Sequence, residues 1–281
     1  MKYINLNGKI IPENEGNVSA TSRAVSYGDG CFETIRSYGG RFLNFEDHFE
    51  RLEAGLEYLE MKSGLTEEKL RKEIQKLLDK NNLGKKDTVV RIQCFRKGGS
   101  GYFELSDQSG FVISDREVLN RKSELKLKTV SVRAIPSVAL ERKVKLSNGI
   151  NYIKAAQEAR KENYDDALML TTNEFVSETT IANLFWIKNK SIYTPSVECD
   201  LLPGVTRSIL MRLINEHSEY KLKEGEFCVE AIYNAEAVFC CNSVMEINSV
   251  SEVDGNIFSS AHPVIEELRV LFEEYKSENL K

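Results

Sequence analysis

The alternation of hydrophobic and polar positions predicts two short β-hairpins near the start of the chain. In the first, Asn7-Gly8 separates the runs YINL and KII, and Asn-Gly is a preferred hairpin turn. In the second, over residues 31–43, Gly39-Gly40 separates CFETIRSY from RFL. Both stretches are therefore predicted to fold back as antiparallel pairs.

Apolar residues at helical spacing then predict two amphipathic helices. The first covers residues 45–60, which Asn44 can cap, and the second lies near residues 66–80. The strand TVVRIQCF follows, and then the glycine-rich loop RKGGSGY at residues 96–102. Its glycines match neither a dinucleotide-binding nor a Walker pattern, so they predict only a loop.

The second part of the chain mixes strands and helices without strict alternation. The strand LKLKTVSVRAI has period 2, a helix over residues 150–163 and the strand ALMLTT follow it, and ANLFWIK and SIYTP flank Asn189-Lys190. A helix over residues 205–215, the strand AVFCCNS, the segment EINSVSEVDG and a C-terminal helix from about residue 263 complete the chain. This order predicts an α+β fold in two layers rather than a doubly wound sheet.

A polar stretch without periodicity, DREVLNRKSE at residues 115–124, predicts a domain boundary. We place a small N-terminal domain at residues 1–118 and a larger C-terminal domain at residues 119–281. A chain of 281 residues is long enough for two ordinary domains.

Composition and charge restrict the classes of function. The net charge of −5 leaves no basic excess for the phosphates of nucleic acid, and no apolar run approaches the ~20 residues that cross a bilayer. We expect a cytoplasmic protein that binds neither nucleic acid nor membrane. The six cysteines form no CxxC pair and the three histidines are scattered, so no metal site is expected. The vicinal pair Cys240–Cys241 is expected to be reduced and half-buried.

Three features after residue 175 have both a chemical and a structural interpretation. In LPGVTR, at residues 202–207, a Pro-Gly turn precedes a helix whose first amides and Thr206 hydroxyl suit a phosphate, although it can also be a plain helix start. Glu178 follows a strand and either faces a proton or a cation or is a capping or surface glutamate. Asn242 and Ser243 end a strand, and they either hydrogen-bond a ligand or form a turn.

Two cations have the same ambiguity. Arg51 lies on a helix face beside Leu52 and either points partly inward to an anion or extends along the surface. Lys145 precedes a helix and is either a surface charge or an amine kept for chemistry. Together, a lysine, a phosphate seat and an acid are the parts that a pyridoxal phosphate enzyme needs.

The chain resembles the fold-type IV pyridoxal-phosphate enzymes, or class IV aminotransferases. Members include branched-chain aminotransferases, D-amino-acid aminotransferases and aminodeoxychorismate lyases. The resemblance covers nearly all of residues 1–275 and rests on six blocks in order: SYGDGCFETIR (26–36), HFERL (48–52), KLSN…EAR…YDDALML (145–170), FVSETTIANLFW (175–186), IYTP…LLPGVTR (192–207) and AVFCCNSVMEI (237–247).

The resemblance implies that Lys145 is the lysine that forms an imine with the cofactor. Asn148 follows it by three residues and Ala167 by 22, as in the lyase and D-amino-acid branches. A rival alignment sets Asn151-Tyr152 on the family's Asn-Tyr pair. It would put Ser147 or Asn148 at the lysine position and make the protein a catalytically inactive homologue.

The resemblance also implies the other cofactor contacts. Glu178 should face the pyridine nitrogen, and the phosphate should be held by Arg51, Val205, Thr206 and Ser243. Lys145 would both bind the cofactor and move the substrate α-proton.

Two reactions of the family fit the sequence. GDGCF, ANLFW and NSVM resemble the lyases, which release pyruvate and 4-aminobenzoate. Tyr27 with FETIR, LLPGVTR and Glu246-Ile247 resemble the branched-chain aminotransferases. We favour an aminotransferase that acts on an apolar amino acid and a 2-oxo acid, with Tyr27, Phe32 and Arg91 at the substrate; the resemblance also implies a homodimer.

Overall fold

The computed structural model describes residues 1–118, 122 and 124–281, which fall into two compact units. The first comprises Met1–Leu119, Val144–Asn148 and Asn279–Lys281, and the second comprises Asn120–Lys143 and Gly149–Glu278. The predicted boundary after residue 118 lies at residues 119–121, outside the described part of the chain. The prediction of an aperiodic stretch from residue 115 is wrong for its first three residues, because a strand continues to Glu117.

Strands and helices of the first unit are β1 (Tyr3–Leu6), β2 (Lys9–Pro12), α1 (Arg23–Tyr27), β3 (Gly30–Tyr38), β4 (Arg41–Phe42), α2 (Phe45–Tyr58), α3 (Glu67–Lys80), β5 (Thr88–Arg96), β6 (Gly99–Ser100), β7 (Glu104–Leu105) and β8 (Ser109–Glu117). Six of the strands form an antiparallel sheet in the order β2-β1-β8-β5-β3-β4. The two predicted hairpins are confirmed as β1–β2 and β3–β4. Asn7 and Gly8 both have positive φ, at 54° and 87°, as a two-residue type I′ hairpin turn requires.

The core of this unit lies between its sheet and two helices. The predicted helices are confirmed as α2 and α3, and Thr66 caps α3 by accepting a hydrogen bond from the Lys69 amide. Each helix turns one apolar stripe toward the sheet. The buried residues of the two stripes are Phe45, Phe49, Leu52, Leu56, Leu70, Ile74, Leu77 and Leu78. Burial of these side chains, at roughly 1.5–3 kcal/mol each, is the main force that fixes β3 under α2.

Strands and helices of the second unit are β9 (Glu124–Arg133), α4 (Ile150–Lys161), β10 (Asp166–Leu170), β11 (Val176–Thr179), β12 (Asn183–Lys188), β13 (Ser191–Pro195), α5 (Val205–His217), β14 (Lys221–Gly225), α6 (Glu230–Tyr233), β15 (Ala237–Asn242), β16 (Glu246–Val253), β17 (Asn256–Ile257) and α7 (Pro263–Asn279). Its sheet has the order β11-β10-β9-β16-β15-β12-β13-β14, with β17 beside β16. Parallel and antiparallel pairs are mixed, since β9 runs parallel to β10 and β16 while β12 runs antiparallel to β15. The predicted α+β class is confirmed.

Cys240 and Cys241 correct the prediction of half-buried thiols. Both lie on β15, between β12 and β16, and their exposed fractions are 0% and 1%. A central strand covered on both faces leaves no thiol half open. Among the described residues, no helix is long and apolar enough to cross a membrane.

Candidate active site

Lys145 lies on a short segment, Val144–Asn148, that pairs with the start of β3. The Phe32 amide donates to the Lys145 carbonyl at 2.9 Å, and the Ser147 amide donates to the Gly30 carbonyl at 2.9 Å. Between these bonds, Cys31 and Leu146 form an antiparallel bridge. The lysine is therefore built into a sheet edge rather than carried on an open loop, and its Nζ lies 4.9 Å from the centre of the Phe32 ring.

Two further contacts fix this segment. Gln93 on β5 donates from Nε2 to the Ser147 hydroxyl at 2.5 Å and to the Cys31 carbonyl at 3.3 Å. Gly28, at φ 65°, passes so close to Asn148 that an added Cβ would lie 3.2 Å from the Asn148 Cα. Sequence reasoning missed Gln93, because its partner is 54 positions away and no local pattern signals the contact.

Arg51 points inward, as one of its two interpretations predicted, and the anion that it meets is Glu33. The guanidinium donates from Nε and Nη2 to the Glu33 carboxylate at 2.7 and 2.9 Å, and Nδ1 of His48 lies 2.9 Å from the same carboxylate. Burial alone would raise the pKa of Glu33, but the charge of Arg51 and the hydrogen bonds from His48 and Arg51 hold that pKa well below its usual range. This cluster of Glu33, His48 and Arg51 is thus a buried, charged clamp.

The predicted substrate residues lie in two places in the first unit. Phe32 and Arg91 lie together, with the guanidinium carbon 3.8 Å from the ring centre. Tyr27 ends α1 and packs its ring against Tyr102, with centroids 5.1 Å apart. An apolar ring with a cation stacked on it can accommodate an apolar side chain and a carboxylate.

In the second unit, Glu178 is buried, so the surface interpretation of this residue is wrong. It lies on β11 with 5% of its surface exposed. Tyr152, on α4, donates its hydroxyl to Glu178 Oε1 at 2.8 Å, and Arg142 donates to the same hydroxyl. Burial, and next the charge of Glu178, raise the pKa of Tyr152 well above its usual value, so the phenol stays a donor.

Asn183 connects Glu178 to the LPGVTR loop, and sequence reasoning did not single it out. Its Nδ2 donates to the Leu202 carbonyl at 2.9 Å and to Glu178 Oε2 at 3.3 Å. Only its position five residues after Glu178, in the block SETTIANLF, hinted at this contact.

The predicted phosphate residues of the second unit lie side by side. Val205 and Thr206 open α5, after Gly204 at the N-cap, and the hydroxyls of Thr206 and Ser243 are 3.5 Å apart. The first amides of a helix have no intrahelical acceptor and carry the positive end of its dipole. The second unit therefore brings together a helix start and two hydroxyls that can receive an anion.

Comparison with known proteins identifies the family. The model of the family described as Amino-transferase class IV matches residues 30–253. The chain belongs to the class IV aminotransferases.

Relatives within the family differ in their reactions. A candidate branched-chain-amino-acid aminotransferase of Methanocaldococcus jannaschii is 31% identical over 263 residues, which cover 92% of this chain and 90% of the relative. D-alanine aminotransferase of Staphylococcus haemolyticus is 26% identical over 98% of both chains. Aminodeoxychorismate lyase of Bacillus subtilis is 28% identical over 85% of this chain and 82% of the enzyme.

Solved structures agree with the fold. The branched-chain aminotransferase of Thermoproteus uzoniensis, solved with norvaline, has a TM-score of 0.92 and 25% identity, and the match covers 100% of this chain and 98% of that one. The T.th. branched-chain amino acid aminotransferase, complexed with N-(5'-phosphopyridoxyl)-L-glutamate, has a TM-score of 0.88, 25% identity and the same coverage. The predicted fold-type IV architecture is confirmed.

Proposed function

We propose that this protein is a pyridoxal phosphate-dependent aminotransferase that transfers an amino group between an apolar amino acid and a 2-oxo acid. Membership of the class IV family supports the reaction class. The branched-chain relative and the structure solved with norvaline support the apolar substrate. The observation that carries the proposal is Lys145, whose backbone is hydrogen-bonded to β3 and whose amine lies 4.9 Å from the centre of the Phe32 ring.

The residues of the second unit fit the cofactor. A protonated pyridine nitrogen needs a buried anion, and Glu178 is buried with its orientation set by Tyr152 and Asn183. A phosphate needs donors at close range, and α5 opens with Val205 and Thr206 after a glycine that has no room for a Cβ. Charge, donors and space thus match the two polar ends of pyridoxal phosphate.

Bound pyridoxal phosphate supplies an aldehyde carbon and an electron-accepting ring. Lys145 would attach the cofactor through its amine and then, as a free amine, accept the proton that leaves the substrate α-carbon. Glu178 would hold the ring nitrogen protonated. The first amides of α5, the hydroxyls of Thr206 and Ser243, and the Arg51 guanidinium would bind the phosphate oxygens.

Substrate recognition is assigned to the first unit. Phe32 would contact the apolar side chain, and Arg91 would pair with the α-carboxylate. Tyr27, which packs against Tyr102, would contact the substrate from the second of the two places. In addition, we propose a cytoplasmic homodimer with a 2-oxo acid as amino acceptor.

Lyase activity is the second candidate, favoured by the 28% identity to aminodeoxychorismate lyase. Both reactions need the same lysine, the same acid and the same phosphate-binding residues, so these residues do not discriminate between the two reactions. The product does: transamination gives glutamate from 2-oxoglutarate, whereas the lyase gives 4-aminobenzoate and pyruvate.

The cofactor is tested first. Purified protein with pyridoxal phosphate should turn yellow, and borohydride should fix the cofactor on Lys145, located by peptide mass. Lys145→Ala should abolish the fixed label, while Lys143→Ala, an exposed lysine two positions earlier, should keep it. Colourless wild-type protein, or a label elsewhere, would rule out the proposed cofactor attachment and favour a catalytically inactive homologue.

The reaction is tested next. Leucine with 2-oxoglutarate should give glutamate, and aminodeoxychorismate should give no 4-aminobenzoate. Release of 4-aminobenzoate without any amino transfer would replace the aminotransferase by the lyase.

A further inference from the structure

We propose that Asn183 is a positioning residue that holds the carboxylate of Glu178 and the loop before α5 in one fixed arrangement. The inference rests on the proposed function, because the two groups it joins are those assigned to the two ends of the cofactor.

The donors of Asn183 are both engaged. A primary amide has two N–H donors, and here one reaches the Leu202 carbonyl at 2.9 Å while the other reaches Glu178 Oε2 at 3.3 Å. The side chain is 5% exposed, so water does not compete for these contacts. Rotation of the amide would break both bonds at once.

A closed turn sets the position of Asn183 relative to Glu178. The Thr179 amide donates to the Ala182 carbonyl at 2.9 Å, and the Ala182 amide donates to the Thr179 hydroxyl at 3.0 Å. Asn183 then enters β12 opposite Cys241 on β15. The hydrogen bonds of this turn therefore hold the backbone of Asn183 in place independently of the contacts that its side-chain amide makes.

The acceptor side of Asn183 is fixed by Gly204. A Cβ at residue 204 would overlap the Asn183 Oδ1, so this glycine lies directly against the amide. Gly204 is also the N-cap of α5. On one side, Asn183 thus contacts Glu178, the acid assigned to the ring nitrogen. On the other side it contacts the backbone of Gly204, where the helix assigned to the phosphate begins.

This placement predicts a signature in binding. A cofactor that contacts both Glu178 and the start of α5 should depend on Asn183 more than a compound that contacts only one of them. Pyridoxal, which lacks the phosphate, is that compound. A residue that merely supports the fold would affect both ligands by the same factor.

The experiment measures dissociation constants of the cofactor-stripped protein for pyridoxal phosphate and for pyridoxal. Asn183→Asp has nearly the same shape, but it replaces both donors by a carboxylate oxygen that faces Glu178 and Leu202. We expect the dissociation constant for pyridoxal phosphate to rise about ten- to a hundredfold, and that for pyridoxal by a smaller factor. Asn183→Ser, which removes the amide without adding charge, should give the same order of effects and serves if the aspartate variant does not fold.

The matched control is Asn248→Asp. Asn248 is also a buried amide of the second unit, 7% exposed, and donates to the Lys122 carbonyl at 3.3 Å. Its variant should leave both dissociation constants within about twofold of wild type.

Each other outcome overturns the inference. Wild-type affinity for pyridoxal phosphate in both Asn183 variants, or equal factors for the two ligands, would refute the positioning role and leave the proposed function standing. Wild-type protein that binds no pyridoxal phosphate would refute the proposed function and the inference together.

Discussion

Two parallel hydrogen bonds join the guanidinium of Arg51 to the carboxylate of Glu33, at 2.7 Å from Nε and 2.9 Å from Nη2. The side chains are 11% and 1% exposed. This bidentate geometry fixes the plane of the guanidinium as well as its place. Glu33 therefore sets the orientation of the Arg51 guanidinium.

Removal of the Glu33 charge should destabilise the first unit. We expect Glu33→Gln to lower the free energy of unfolding by about 3–5 kcal/mol, because the Arg51 charge stays buried without its counter-charge. Urea denaturation at neutral pH measures the loss. The control is Glu67→Gln, whose partner Arg71 lies 2.7 Å away at the surface and which should cost at most about 1 kcal/mol. Equal losses in the two variants would contradict a special role of the clamp.

Glu33 should also shape the acid sensitivity of the protein. Its folded pKa is depressed, so the ionised group stabilises the fold above the unfolded value of about 4.3. That contribution is lost as pH falls below this value toward the folded pKa. In urea titrations at a series of pH values, wild type should lose stability faster than Glu33→Gln below about pH 4.3. Parallel curves would show that another group controls the acid limb.

The Tyr152 hydroxyl, which donates to Glu178, should contribute to the free energy of unfolding. Tyr152→Phe removes the hydroxyl between Arg142 and Glu178 and leaves two buried charged groups with one fewer partner. We expect a loss of about 1–3 kcal/mol in the free energy of unfolding. Tyr102→Phe, at a residue that is 74% exposed, is the control and should change the free energy of unfolding by less than about 0.5 kcal/mol. An unchanged unfolding midpoint for Tyr152→Phe would show that the hydroxyl is dispensable.

Substitution of Gly204 should destabilise the protein because of the adjacent Asn183 side chain and not because of the backbone conformation of Gly204. Its φ of −70° suits any residue, but a Cβ would overlap the Asn183 amide. We expect Gly204→Ala to cost about 1–3 kcal/mol in the free energy of unfolding. The same substitution in an Asn183→Ser background should cost less, since serine leaves room for the methyl group. Additive losses in this double-variant cycle would show that the two positions do not interact.

The sequence predicted two hairpin turns from local signals. Asn7-Gly8 and Asn189-Lys190 supply the positive φ angles of two hairpin turns, and both turns are present. Two missed elements lack such signals. The strand β14, KLKEG, has no apolar alternation and owes its place to parallel pairing with β13, and the helix α1 is only five residues long.

The candidate site shows the same division. The sequence marked Glu178 and Thr206 but left their chemical and structural interpretations open, since burial depends on the strands that cover a residue. Glu33 and Gln93 were missed because their partners lie 18 and 54 positions away. Asn183 lies close in sequence to its partner, yet the contact depends on the turn between β11 and β12, which residue types alone do not specify.

The Val144–Asn148 segment has a consequence for how the protein is made. It pairs with β3 at Cys31, whereas β4 reaches β3 only at Ser37 and Tyr38. While a ribosome is still producing residues before 144, the start of β3 lacks this partner and presents open amides and carbonyls to neighbouring nascent chains. A fragment that stops near residue 118 should therefore aggregate during expression. Adding the Val144–Asn148 segment as a peptide should keep the fragment in solution.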